Sequence, residues 1–182
     1  MEVLKIVNSL FSSCTYLNES LVIDPGDVAG IKEIKTVLLT HGHFDHIYGL
    51  NELLENNPVA KVYTNDFGAR MLLDARLNMS KYMENPFVFK YPKSICIVKD
   101  GEEIEIVYGI SAKAIFTPGH NPSCITWEIR DMLFTGDAYI PGIKVVTNLS
   151  GSNKKDAEKS LELIMKLAEN HVVYPGHQIE EQ

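Results

Sequence analysis

Four apolar runs rich in β-branched and aromatic side chains, VLKIV, CTYLN, SLVID and TVLLT, occupy the first forty residues, with turn formers such as Pro25-Gly26 between them. This pattern predicts short strands in a β-meander. From Ile47 the apolar positions take a helical spacing, with Ile47, Leu50 and Leu54 on one face, and Pro58 ends the segment. KVYTN then predicts a strand and DFGARMLLD a short helix, while residues 74–93 have no clean period and predict a loop or lid. SICIV, EIEIV, AKAIFT, CITWEI and MLFTG predict five further strands, with Asp100-Gly101 as a hairpin turn between the first two. KKDAEKSLELIMKLAEN carries Ala157, Leu161, Ile164 and Ala168 at a helical period behind Asn153 as N-cap, and a last strand, VVYP, leads to Gly176-His177.

Composition narrows the class of protein. A length of 182 residues suits one domain, residues 1–182, and 45% hydrophobic with 23% charged residues is ordinary for a globular chain. No apolar run reaches bilayer length and the first residues lack a secretion-signal pattern, so a cytoplasmic protein with no membrane partner is expected. Cys14, Cys96 and Cys124 are far apart and form no CxxC pair, and read as reduced packing residues. The net charge of -7 offers no general attraction for phosphate backbones, so no nucleic-acid partner is expected.

The candidate chemistry sits at the ends of the apolar runs. Of six histidines, His41, His43 and His46 fall with Asp45 inside THGHFDH, directly after TVLL. Extended backbone turns alternate side chains the same way, so His41 and His43 can share a metal. Asp45 and His46, displaced as the chain turns into its helix, can serve a second ion about 3.5–4 Å away. His120, Asp137 and His177 each follow an apolar run and a glycine, a syntax that presents side chains at a sheet edge, where strand ends converge. His171 lies outside this pattern, at the end of the last helix, where a cation favours the dipole.

Together, His41, His43, Asp45, His46, His120, Asp137 and His177 resemble the metallo-β-lactamase superfamily, with its H-x-H-x-D-H loop and three later ligands. The resemblance runs from SLVIDPG through TPGH, TGD and YPGH, and its nearest flavour is the glyoxalase II-like (hydroxyacylglutathione hydrolase-like) branch. It implies an α+β four-layer αβ/βα sandwich, two mainly antiparallel β-sheets flanked by helices. It implies one metal on His41, His43 and His120, a second on Asp45, His46 and His177, and Asp137 bridging them. Imidazole and carboxylate without thiolate suit two Zn2+ ions and tolerate iron or manganese. A hydroxide held between the ions, oriented by Asp45 and Asp137 as catalytic residues, would attack the carbonyl of a small-molecule thioester or related acyl ester. Against true glyoxalase II, no counterpart of that enzyme's C-terminal helical domain is expected within these 182 residues, and Asn121-Pro122-Ser123 stands where relatives often have threonine or serine first.

The same ligands fit a mononuclear-iron persulfide dioxygenase. An RNA-processing phosphodiesterase is disfavoured by the acidic balance, and a diiron partner of a flavin domain by His43, which stands where that branch resembles H-x-E-x-D. Arg76, Lys81, Tyr82, Phe87 and Phe89, and Tyr139, Ile140 and Lys144, are open either to substrate contact or to plain packing and solvated charge. Cys124 reads as a small buried side chain.

Overall fold

A computed structural model describes residues 1–107 and 109–178. The first sheet contains β1 (Leu4–Val7), β2 (Cys14–Asn18), β3 (Leu21–Ile23), β4 (Thr36–Leu38), β5 (Lys61–Thr64) and β6 (Ile95–Ile97), in that spatial order. The second contains β7 (Glu103–Val107), β8 (Ile110–Phe116), β9 (Ile125–Ile129), β10 (Met132–Gly136) and β11 (Val172–Pro175), in the order β11-β10-β9-β8-β7. The helices are α1 (Leu50–Asn56), α2 (Asp66–Leu73) and α3 (Lys154–Ala168).

Only part of the expected meander forms. β1, β2 and β3 pair antiparallel, but β4 lies parallel to β3, and β5 and β6 continue in parallel. The long connection after Ile23 returns the chain to the same end before β4 starts, which a tight turn cannot do. The Asp100-Gly101 hairpin is likewise corrected. β6 pairs with β5 and β7 with β8, so this turn carries the chain from one sheet to the other. The second sheet is antiparallel except where β11 joins β10.

The burial pattern makes four layers of these elements. Tyr16, Leu21, Ile23 and Leu38 from the first sheet meet Ala112, Ile125, Trp127 and Phe134 from the second in one core between the sheets. Val22, Val37, Leu39 and Val62 point the opposite way and pack with Leu50, Leu53, Leu54 and Leu72 of α1 and α2. Strands buried on both faces must be continuously apolar, which is why these runs show no alternation. Ile164 of α3 packs with Cys124 and Ala138, the residues just before β9 and just beyond β10 of the second sheet. Asn153 caps α3 as the spacing predicts, its side chain accepting from the amides of Lys155 and Asp156. His171 closes it with its Nδ1 2.7 Å from the carbonyl of Leu167.

Two bonds between the sheets fix the end at which the histidines emerge. The Trp127 indole donates to the Leu39 carbonyl at 2.9 Å, and the Ile125 amide to the Thr40 carbonyl at 2.7 Å. Residues 74–93 form a loop with two short 3-10 turns, Ser80–Tyr82 and Pro92–Ser94. The loop is anchored: buried Asn78 donates to the carbonyls of Met71 and Phe87, while Phe87 and Phe89 are core residues rather than substrate contacts. Tyr82, in contrast, is exposed. The three cysteines are free, and no helix among the described residues is long and apolar enough to cross a membrane.

Candidate metal centre

All seven predicted ligands meet at one edge of the sandwich. β4 ends at Leu38, and Leu39, Thr40, His41, Gly42 and His43 continue into the 3-10 turn Phe44–His46. His120, Asp137 and His177 follow β8, β10 and β11 respectively. His41, His43, His46 and His120 are buried, whereas Asp45, Asp137 and His177 are partly exposed, so solvent reaches the cluster from their side. Asp137 is central. Its Oδ1 lies 3.4 Å from the Nε2 atoms of both His46 and His177, and its Oδ2 lies 3.4 Å from His120 Nε2 and 4.0 Å from His41 Nε2. Asp45 Oδ2 is 3.5 Å from His46 Nε2 and 3.4 Å from His177 Nε2.

The glycines that precede the ligands are required by close approach. A Cβ at Gly119, whose φ is +139°, would stand 2.2 Å from the amide nitrogen of Ala157, where α3 packs on the His120 loop. A Cβ at Gly176 would stand 2.3 Å from Asp137 Oδ1. Gly176→Ala is therefore expected to displace Asp137 or His177 and to cost about 10²-fold in turnover, since misplacements near 1 Å carry penalties of that size. Circular dichroism should show the fold retained. Full turnover in that variant would mean that the close packing of Asp137 on Gly176 is dispensable.

Hydrogen bonds to the outer ring nitrogens orient the inner ones. His120 Nδ1 is 3.0 Å from the Val146 carbonyl and His177 Nδ1 is 2.9 Å from the Phe11 carbonyl. A carbonyl only accepts, so each ring proton sits outside and each Nε2 faces inward bare. His46 Nδ1 is 3.1 Å from Asp24 Oδ2 and does the same. His41 Nδ1 lies 3.2 Å from the Thr40 hydroxyl, which itself donates to Asp24, leaving His41 Nε2 inside. His43 presents Nδ1 instead, 3.0 Å from His120 Nε2, with its own Nε2 3.1 Å from Asn121 Nδ2.

This interior is built for positive charge. His41 Nε2 and Asp137 Oδ1 are buried with no hydrogen-bond partner, and the Nε2 atoms of His46 and His177 face each other at 3.3 Å. Lone pairs so placed repel one another unless a cation or proton lies between them. The ionisation of the groups agrees. Burial alone would push the Asp137 carboxyl up, but His46, His177 and His41 around it hold it well below the usual carboxylate range. Burial likewise opposes charge on His46, yet Asp45, Asp137 and Asp24 hold its pKa well above that of ordinary imidazole. Burial dominates at His41 and His43, keeping both neutral, with His43 pushed down to about 3. The donor atoms fall into two sets of three, His41, His43 and His120, and Asp45, His46 and His177, each set within 4.8 Å of one another. An imidazole and carboxylate set of this kind fits divalent metal, which would take the place of the proton that the surrounding carboxylates hold on His46.

Asp24, His41 and His46 form a third such set, and Asp24 is the site residue that motif spacing missed. Its Oδ1 accepts the Thr40 amide at 2.7 Å, and its Oδ2 accepts the Thr40 hydroxyl and faces His46 Nδ1. With both oxygens engaged, it serves as the buried anchor of the histidine loop. The available signal was an aspartate ending a wholly apolar strand immediately before Pro-Gly.

The profile of the metallo-beta-lactamase superfamily matches residues 10–177. The chain belongs to the metallo-beta-lactamase superfamily. Within that superfamily it is 31% identical to "Probable metallo-hydrolase YqgX" of Bacillus subtilis (strain 168) over 172 residues, 88% of this chain and 80% of the relative. It is 30% identical to a hydroxyacylglutathione hydrolase of Xylella fastidiosa (strain M12) over 125 residues, 65% of this chain but 40% of that protein. The crystal structure of BLEG-1 B3 metallo-beta-lactamase superposes with a TM-score of 0.85 at 22% identity, covering 98% of this chain and 92% of that one. These likenesses establish a metallohydrolase of the metallo-beta-lactamase superfamily with its layered α+β sandwich.

Proposed function

We propose that the protein is a dinuclear metallohydrolase of small acyl thioesters or related acyl esters. His41, His43 and His120 would hold one divalent cation and Asp45, His46 and His177 the other, with Asp137 between them. The placement of Asp137 carries this reading, because one of its oxygens faces each set of imidazoles at 3.4 Å. The absence of thiolate from the ligand set supports Zn2+, with iron or manganese tolerated.

Two bound cations would lower the pKa of water toward about 7 and polarise a substrate carbonyl. The chain's own groups orient that chemistry. Asp45 and Asp137 lie on the solvent side, where they can accept a hydrogen bond from an attacking water and fix its direction. The carbonyls of Val146 and Phe11 hold the rings of His120 and His177, so the reacting region does not reorganise. A thiolate leaving group, with a pKa of about 8.5, departs without a strong general acid. The likeness to a hydroxyacylglutathione hydrolase supports the same substrate class.

The test is to purify the protein without added metal, count zinc, iron and manganese per chain, and assay S-lactoylglutathione, a second acyl thioester, a lactone and a glutathione persulfide. Two equivalents of metal with thioester hydrolysis are expected. One iron per chain with oxygen uptake on the persulfide would replace this reading with the dioxygenase, and no metal at all would remove both.

A further inference from the structure

Asn121 is 1% exposed and ties together the two halves of the site. Its Oδ1 accepts from the Ser123 amide at 2.9 Å and from the Ser123 hydroxyl at 2.7 Å. The Gly42 amide, between the two histidines of the loop, donates to the same Ser123 hydroxyl oxygen at 3.0 Å. Because a backbone N–H only donates, the carboxamide is fixed in one orientation, with Nδ2 toward His43 Nε2. The amide nitrogen only donates as well, so His43 Nε2 must accept, and in a neutral ring the single proton then sits on Nδ1.

This state is internally satisfied. Asn121 donates to His43, His43 donates from Nδ1 to the bare Nε2 of His120, and His120 donates to the Val146 carbonyl. Yet Nδ1 is the nitrogen that His43 turns inward, and a protonated nitrogen cannot ligate a metal. The other four rings each have an acceptor against the outer nitrogen, so no outer partner holds a proton on the inner one. For His43 to ligate, its proton must move from Nδ1 to Nε2, where it meets the Asn121 N–H donor to donor. A half-turn of the carboxamide would relieve that contact, but it would set Nδ2 against the Ser123 amide.

We infer that Asn121 locks His43 in the non-ligating tautomer and so makes the His41–His43–His120 site the weaker of the two, filled after the Asp45–His46–His177 site. This rests on the ligand assignment of the proposed function. Asn121 is a positioning residue, since it acts only through His43.

Two measurements test it. Long-range 1H–15N imidazole spectra of the metal-free wild type should place the His43 proton on Nδ1, and after zinc loading on Nε2. Zinc titration against a chromophoric chelator should give a second equivalent at least about tenfold weaker than the first in the wild type, a typical effect for a group behind a ligand. In Asn121→Ala, which removes the N–H facing Nε2 and leaves that nitrogen free to carry the proton, the two affinities should converge to within a few-fold. A metal-free His43 protonated on Nε2, or a wild type and variant that bind two equivalents with identical stepwise affinities, would overturn the lock and leave the proposed function standing. Failure of the wild type to bind any zinc would overturn both.

Discussion

Replacing Asp137 with asparagine is expected to cut turnover on the proposed acyl substrate by about 10³-fold, equivalent to about 4 kcal/mol of lost transition-state stabilisation. The substitution keeps the shape and removes one charge, and that charge faces both ligand sets. Oδ1 lies against His46 and His177, Oδ2 against His120 and His41. Among the described residues Asp45 is the other carboxylate directed at the inner nitrogens, and it faces His46 and His177. Removing the Asp137 charge therefore leaves the His41–His43–His120 set with three imidazoles and no carboxylate facing them. Metal content should fall from two equivalents to one, while far-UV circular dichroism stays unchanged. A variant that retains two metals and wild-type turnover would show that the ions are not held through this carboxylate.

Much of this cluster was legible in the sequence because its residues obey a local rule. Each stands where an apolar run breaks at a polar or glycine turn, and His41, His43, His46, His120, Asp137 and His177 can be found by reading strand ends alone. The helix α3 with its Asn153 cap was legible for the same reason, since cap and period lie within one stretch of chain. What depended on distant partners was not legible. Asp100-Gly101 has the chemistry of a hairpin, and nothing local distinguishes a hairpin from a step between sheets. Phe87 and Phe89 sit in an aperiodic loop yet fill the core beneath α1, because Asn78 and Ser80 pin that loop by hydrogen bonds no pattern announces. Asn121 sits beside a ligand in sequence, but its hold on His43 spans 78 residues.

Asp24→Asn is expected to be the most destabilising conservative change in the site. Asp24 is 2% exposed and its two oxygens accept three donors, the Thr40 amide, the Thr40 hydroxyl and His46 Nδ1. Its φ of 51° is a conformation that asparagine also tolerates, so the substitution probes chemistry and leaves the backbone alone. Asparagine has one acceptor oxygen and must turn an NH2 toward a donor, and it removes the negative charge beside His46. Breaking a buried ion pair from one side costs about 3–5 kcal/mol. For a chain of this size about 2–4 °C of melting temperature follows each kcal/mol, so the midpoint should fall by roughly 6–20 °C. His46 would also lose the acceptor that keeps its proton on Nδ1, so the affinity of the Asp45–His46–His177 site should drop about 10–100-fold. Thermal unfolding with and without zinc, alongside chelator competition, separates these effects. A melting temperature within about 2 °C of wild type, less than 1 kcal/mol, would show that Asp24 does not anchor the loop. An unchanged zinc affinity would show that His46 keeps its ligating tautomer without it.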